Sequence, residues 1–470
     1  MKKPNRREFL KNSLLTSGFL GLSACSQNYS KTVSSGELGS TSLATEGYGP
    51  LLSDPDGRLK LPKGFSYKAI SERGARMDDG QIVPPAHDGM ATFPGPNGLT
   101  LIVRNHEVSP LQEEKVEYLK SSEWKGISDS KRYDSGSNGY HCTGGTTTLV
   151  FDTRTQELKR HYLSLTGTIR NCSGGVTPWG SWITCEENVN RANDQLKKDH
   201  GYNFEVPANY EIGLADPVPL KDMGRFNHEA VSVDPASGVV YQTEDRPDGL
   251  IYRFIPNIRG QLAQGGRLQA LVIKGAPSSD TRNWEEIDFP SFPVKQSMEV
   301  EWIDIDDPAA PNDDLRYKGF ENGAARFARG EGMFYGNGEI YFACTNGGPK
   351  KLGQIFRYRP STFEGMSKES TKPGKLELFI ESQDLELLKA CDNLTVAPWG
   401  DIVICEDDNE SSTIVGITNE GKMYKIGHVQ VKSEVAGACF SPDGTTLFVN
   451  IQNSPGETLA ITGPWRDRIA

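Results

Sequence analysis

Two stretches of this chain repeat one arrangement of acids and cysteine. Thr177-Pro178-Trp179-Gly180-Ser181-Trp182-Ile183-Thr184-Cys185-Glu186-Glu187 aligns without a gap on Ala397-Pro398-Trp399-Gly400-Asp401-Ile402-Val403-Ile404-Cys405-Glu406-Asp407. The alignment carries Glu186 onto Glu406 and, extended backward, Cys172 onto Asp392. A thiolate and a carboxylate thus share one repeat position. Both are deprotonated metal ligands, separated by the softness of the metal they suit. Further candidates are Asn105 and Glu107 in Asn-His-Glu, Glu229 in a second Asn-His-Glu, and Glu244, Glu331 and Glu434. One such acid alone reads as a solvated turn residue. A set recurring at one repeat position would repel itself unless cations lay between its members, so the pattern predicts a metal centre.

Hard oxygen donors favour Ca²⁺, and a thiolate beside carboxylates suits a transition metal such as iron. Histidine is scarce at the repeat positions, which disfavours a His-ligated zinc hydrolase. There is no Ser-His-Asp signature and no phosphate-binding P-loop, so reactivity would have to come from metals. Residues 302–314 (WIDIDDPAAPNDD) hint at a calcium loop but lack the EF-hand glycine. They read as a solvated acidic loop.

The elements that would position these residues also repeat. His228-Glu229-Ala230 leads through a turn to 239–243 and then to Leu250-Ile251-Tyr252-Arg253-Phe254; Gly330-Glu331-Gly332 leads likewise to 340–344 and to Gln354-Ile355-Phe356-Arg357-Tyr358. Similar strand–turn–strand units lie at 89–103, 146–163 and 438–451. Glycine is abundant and long helical periodicities are missing, so the fold class is all-β. Units unable to bury their own faces predict a β-propeller of about six blades, with a β-sandwich array as the alternative. The innermost strand of each blade would line a central channel. Residues 108–140 and 257–325 break the pattern and read as insertions over one face.

The N-terminus reads as an address. Asn5-Arg6-Arg7-Glu8-Phe9-Leu10-Lys11 has the twin-arginine pattern, and the apolar stretch 13–24 is too short to span a bilayer stably. It ends Leu22-Ser23-Ala24-Cys25, a lipobox that predicts lipidation of Cys25. Residues 1–24 are thus expected to be a signal peptide recognised by the twin-arginine translocase, 25–48 a flexible tether and 49–470 the propeller domain. The expected location is lipid-anchored in the periplasm, at the outer membrane or at the cell surface. Ser26 lacks the acid that retains lipoproteins at an inner membrane, which favours the outer sites. Loss of 1–24 removes five basic residues and one acid, taking the formal net charge from −11 to −15. An acidic body argues against nucleic acid as a partner. Seven cysteines beyond Cys25 lack disulfide-scaffold spacing, and their odd number leaves at least one thiol free.

At these residues the chain resembles the PhoX family of bacterial alkaline phosphatases. The carriers are Asn171-Cys172-Ser173-Gly174-Gly175, the 177–187 run, Gly224-Arg225-Phe226-Asn227-His228-Glu229, Arg329-Gly330-Glu331, Asp392-Asn393-Leu394 and Phe440-Ser441-Pro442-Asp443-Gly444. The resemblance implies a propeller whose axial site holds two ferric ions (Fe³⁺) and calcium ions (Ca²⁺) around a bridging oxo group and hydrolyses phosphate monoesters at alkaline pH; the chain is expected to be a monomer. The resemblance also implies Cys172, Glu186, Glu229 and Glu331 as iron ligands and Asp392 and Glu107 as calcium ligands; Glu406 and Glu434 are metal-site candidates on the repeat pattern. Arg329 would hold the phosphate through a bidentate contact. This chain is shorter than the better-known members, and its 331–392 region is compact. A calcium-dependent lactonase or esterase is the second enzyme reading, because Asp392-Asn393 and Glu331-Gly332 also resemble ligands of single-calcium propellers. A non-catalytic binding propeller is the third.

Overall fold

Short alternating apolar runs punctuated by Gly, Pro, Asn and Asp give antiparallel strands. In the computed structural model, which describes residues 47–109, 126–453 and 455–467, the regular structure is almost entirely β. The repeated Pro-Trp-Gly element is a tight turn. Thr177 N–H donates to Ser181 O and Ala397 N–H to Asp401 O, at 2.9 and 2.8 Å. The turns need glycine because Gly180 and Gly400 have φ of 87° and 98°.

Each repeat begins with an innermost strand and adds strands outward. His87–Pro94, Thr100–His106, Gly144–Asp152 and Glu157–Thr168 form the first blade. Asn171–Val176, Ser181–Glu186 and Asn203–Pro207 form the second. The third is His228–Val233, Val240–Glu244, Ile251–Pro256 and Gly266–Ile273; the fourth is Gly330–Gly336, Glu339–Cys344, Gln354–Arg359 and Lys375–Glu381. Strand Ser297–Asp304 pairs with the outer strands of both and fuses them into one nine-stranded sheet. The fifth blade is Cys391–Val396, Ile402–Glu406, Thr413–Ile417 and Met423–Val429, extended by Leu59–Pro62 and Leu51–Leu52. Val435–Phe440, Thr446–Ile451 and Glu457–Thr462 make the sixth, which Ser66–Glu72 completes from the other end of the chain. The described strands therefore make five hydrogen-bonded sheets rather than about six, because the shared strand joins two blades. The six innermost strands adjoin one another in a closed ring, as a propeller requires.

Apolar side chains fill the spaces between neighbouring blades. Val403, Cys405, Val435, Leu447 and Val449 form one such layer, and Leu271, Ile340, Phe342 and Phe356 belong to another. Near the axis the backbones come too close for side chains. A Cβ on Gly175 would lie 1.9 Å from Val231 O, and one on Gly332 would lie 2.6 Å from Asp392 O. This explains the second glycine of Cys-Ser-Gly-Gly.

The expected insertion at 257–325 is only partly one. It supplies the outer strand Gly266–Ile273 and the fusing strand Ser297–Asp304, because its apolar alternation pairs with the sheets beside it. The remainder, with the short helix Leu315–Glu321, docks on the third blade, where Arg316 meets Glu244 and Asp248 at 3.5 and 3.2 Å. The acidic run 302–314 is not solvated throughout. Residues 302–304 are strand, Trp302 stacks under Arg253, and Asp313 pairs with Arg316 at 3.0 Å. Tyr48, placed in the tether by composition, packs its ring on Phe65 and Trp465 and donates to Trp465 O at 2.9 Å. All seven described cysteines are buried and unpaired.

Candidate metal centre

In every innermost strand the pairing with the second strand slips by one residue near its start. The slips fall between His87 and Met90, Asn171 and Gly174, His228 and Val231, Gly330 and Met333, Cys391 and Leu394, and Ala436 and Cys439. A bulge of this kind re-aims the extra residue. That residue is Asp88, Cys172, Glu229, Glu331 and Asp392 in the first five blades and Gly437 in the sixth.

A second tier is also set by the backbone. Just beyond the second strand, the amides of Glu107, Glu187, Asp245, Thr345, Asp407 and Gln452 donate to the carbonyls of Ala86, Arg170, Asn227, Arg329, Ala390 and Glu434, at 2.8–3.3 Å. Each acceptor immediately precedes its innermost strand. Four of these acceptors, Ala86, Arg170, Arg329 and Ala390, have φ of 44–52°. The repeated connection brings acids from one tier and arginines from the other to the same end of the channel.

The donors meet in three groups, two of which share Glu229. Cys172, Glu187 and Glu229 bring ligand atoms within 4.8 Å of one another, as do Glu229, Glu331 and Asp392, and as do Asp88, Glu107 and Glu434. Arg170 joins Glu107 to Glu187, with Nη2 at 2.7 and 2.5 Å from their oxygens. Arg329 places Nε and Nη2 on Asp245 at 2.8 and 3.1 Å and Nη2 on Glu331 at 2.7 Å, leaving Nη1 3.9 Å from Asp407. The Nε–Nη2 edge is therefore occupied by Asp245. An incoming oxyanion would meet the Nη1 side.

Two predicted ligands lie elsewhere. Side chains alternate along a strand, so consecutive acids face opposite ways. Glu186 accepts from the amides of Ile169, Gly201 and Tyr202 at 3.0, 2.9 and 3.3 Å and meets His200 Nδ1 at 2.7 Å. Glu406 accepts from the amides of Lys389 and Thr413, both at 3.0 Å. Both brace their blades, and Glu187 and Asp407 take the axial side. Asn105 and Glu244 are braces too. Asn105 donates to Cys172 O and Ser173 O at 3.1 and 2.6 Å, and Glu244 accepts from the Leu250 amide and the Tyr252 hydroxyl at 3.2 and 2.9 Å.

Sequence reasoning missed Asp88, Arg170, Glu187, Asp245 and Asp407. Two signals were available. His87-Asp88 parallels His228-Glu229, and Arg170 stands two residues before Cys172 as Arg329 stands two before Glu331.

Burial dominates the electrostatics. It pushes the carboxyls of Asp88, Glu229, Glu331 and Glu434 well above the carboxylate range, and neighbouring acids add to the effect. Burial likewise raises Glu187 to about 8 and Asp392 to about 7. The Cys172 thiol is pushed up by burial and then by Glu229 and Glu187. Nine carboxyl groups and a thiol thus meet two arginines at one end of the channel. This donor set fits metal cations, with a hard all-carboxylate group at Asp88, Glu107 and Glu434 and a softer one around Cys172.

The sequence model for "Alkaline phosphatase PhoX" matches residues 46–456. A search of curated protein sequences returns no match. Among solved structures, the chain is similar to Pseudomonas fluorescens PhoX in complex with vanadate, at TM-score 0.64 and 16% identity, covering 90% of this chain and 98% of that one. A gluconolactonase from Xanthomonas campestris aligns at TM-score 0.34 and 12% identity, covering 84% and 98%. A Bacteroides thetaiotaomicron protein of unknown function aligns at TM-score 0.40 and 9% identity, covering 85% and 76%.

Two outcomes are expected from this geometry. Since burial holds the axial carboxyls above their unfolded values, the metal-free fold binds more protons than the unfolded chain. The stability these carboxyls contribute is fully present below their unfolded pKa of about 4. It falls as pH rises toward about 7 and 8, the values of Asp392 and Glu187. Thermal melts of chelated protein should show a declining Tm over this window, and added Ca²⁺ should flatten the decline; a Tm that rises with pH in the chelated protein would contradict it. Secondly, Glu187→Gln should lower bound metal, whereas Glu406→Gln should leave metal content unchanged and cost about 1–3 kcal/mol of stability by unpairing buried amides. Equal metal loss in both would contradict the assignment of sides.

Proposed function

Because the chain belongs to the PhoX family of alkaline phosphatases, we propose that its axial centre hydrolyses small phosphate monoesters using two ferric ions and one or more calcium ions. The observation that carries this reading is the convergence of Cys172 with the buried carboxyls of Glu187, Glu229, Glu331 and Asp392 beside Arg329. We assign Cys172, Glu187, Glu229 and Glu331 to iron, with Asp392 completing the Glu229–Glu331 group. The all-oxygen group of Asp88, Glu107 and Glu434 is assigned to calcium. When bound, the cations supply Lewis acidity and neutralise charge on an anionic substrate.

The chain's own residues orient the substrate. Arg329 is held by Asp245 and Glu331 through Nε and Nη2, which leaves Nη1 as the nitrogen farthest from a carboxylate and available to an oxyanion. Arg170, fixed between Glu107 and Glu187, is a second partly exposed guanidinium at the centre. Two fixed arginines among acids favour a compact dianion over neutral esters. The Pseudomonas fluorescens relative was captured with vanadate, a transition state analogue, which supports phosphate-ester hydrolysis by this chain.

Protein loaded with iron and calcium should release phosphate from an aryl phosphate. Cys172→Ala should reduce this at least 100-fold, more than the roughly 10–100-fold typical of losing a group that only orients a ligand. Arg329→Lys should raise KM about 10-fold through loss of a charge-assisted contact. Full activity of Cys172→Ala would sink the iron assignment.

The N-terminal readings fall outside the described residues. We propose that the twin-arginine translocase exports the chain and that a lipid on Cys25 anchors it in the periplasm, at the outer membrane or at the cell surface, with the propeller acting as a monomer. The support is the Asn5–Lys11 pattern and the Leu22–Cys25 lipobox. Cys25→Ala should move the protein from membrane to soluble fractions; unchanged membrane association would overturn the anchor.

A further inference from the structure

Outside the axial centre, three unlike ligand types meet at the end of the second blade. Asp134, Cys142 and His200 each present a donor atom within 4.8 Å of the other two. All three are buried, at 1%, 5% and 0% exposure. They come from two segments. Asp134 and Cys142 precede the strand Gly144–Asp152, and His200 precedes Asn203–Pro207.

The orientation of the imidazole is set by its other nitrogen. Nδ1 lies 2.7 Å from Glu186 Oε1, which takes a proton there. Nε2 is left facing the other two donors. It makes no hydrogen bond although it is fully buried, and it stands 3.5 Å from Asp134 Oδ2. Asp134 is itself oriented, with Oδ1 accepting from the Gly136 amide at 2.7 Å and Oδ2 from the Lys198 amide at 2.9 Å. A metal-bound histidine usually gives its second N–H to a carboxylate, which fixes the tautomer and raises ligand basicity. Glu186 stands where that carboxylate belongs. Its repeat counterpart Glu406 accepts from Lys389 and Thr413, so the histidine contact is particular to the second blade.

We propose that Asp134, Cys142 and His200 Nε2 form a second metal site, separate from the axial centre, for a divalent ion of the zinc class. One nitrogen, one sulfur and one oxygen donor suit such an ion, whose ligands at about 2.0–2.3 Å adopt tetrahedral geometry, with a fourth position for water. Without the ion, burial disfavours a charged His200, while Glu186 and Asp134 push its pKa above the ordinary histidine value. Metal entry must therefore displace the Nε2 proton and the Cys142 thiol proton, and binding strengthens as pH rises. The ion would staple the segment around Asp134–Cys142 to the loop ending at His200. Through Glu186 it would also steady the chain from which Glu187 reaches the axis.

The test uses full-length metal-depleted protein carrying Cys172→Ala, which removes the axial thiol, titrated with Co²⁺ as a spectroscopic probe. One equivalent should produce a thiolate-to-cobalt charge-transfer band, and further substitution of Cys142→Ala should abolish it. Glu186→Gln in the same background should keep the band but weaken affinity about 10–100-fold, which covers the case of a Cys142 variant that does not fold. Absence of the band in the Cys172→Ala protein, or its persistence in folded Cys142→Ala protein, would overturn the site.

Discussion

Like charges brought together in a buried centre must be compensated, and that requirement shapes the middle of this propeller. Six innermost strands converge on one axis, and five of them deliver an acid or a thiol from a bulge at the same position. The second tier adds Glu107, Glu187, Asp245 and Asp407. Arg170 and Arg329 each bridge acids at the mouth, but two guanidiniums cannot neutralise the set. The carboxyls are left either protonated, as burial favours, or bound to cations. A fold that accepts this cost without cations would be poorly explained, since isolated buried charges are among the most destabilising features a core can carry.

The scaffold is built to hold the cluster rigidly. Ligands on strands and tight strand ends are placed more precisely than ligands on long loops. Here the bulge and the amide contact to the second tier recur in all six blades, and a left-handed residue before the innermost strand recurs in four. Glycine at 175 and 332 lets neighbouring innermost strands approach, and Ser66–Glu72 closes the ring by joining the two ends of the described chain. Glu186 and Glu406 use buried carboxylates for a different purpose, locking the blade ends with main-chain amides.

Much of this was legible in the sequence. The gapless repeat related Cys172 to Asp392, and both occupy the bulge position. The all-β propeller followed from strand–turn–strand units and Gly-rich turns. Parity was not legible. In Cys-Glu-Glu and Cys-Glu-Asp, two consecutive acids compete for the axis, and the choice depends on register, which a bulge shifts by one residue. Arg170 was missed because its role comes from the backbone position before the strand. The closing strand and the fusing strand Ser297–Asp304 depend on long-range pairing that local patterning does not encode.

Protein purified without chelators and examined for metal content and visible absorption tests the central claim most directly. The account predicts bound iron and calcium and a ferric–thiolate band that disappears in Cys172→Ala. Colourless, iron-free protein that still hydrolyses phosphate monoesters would contradict it.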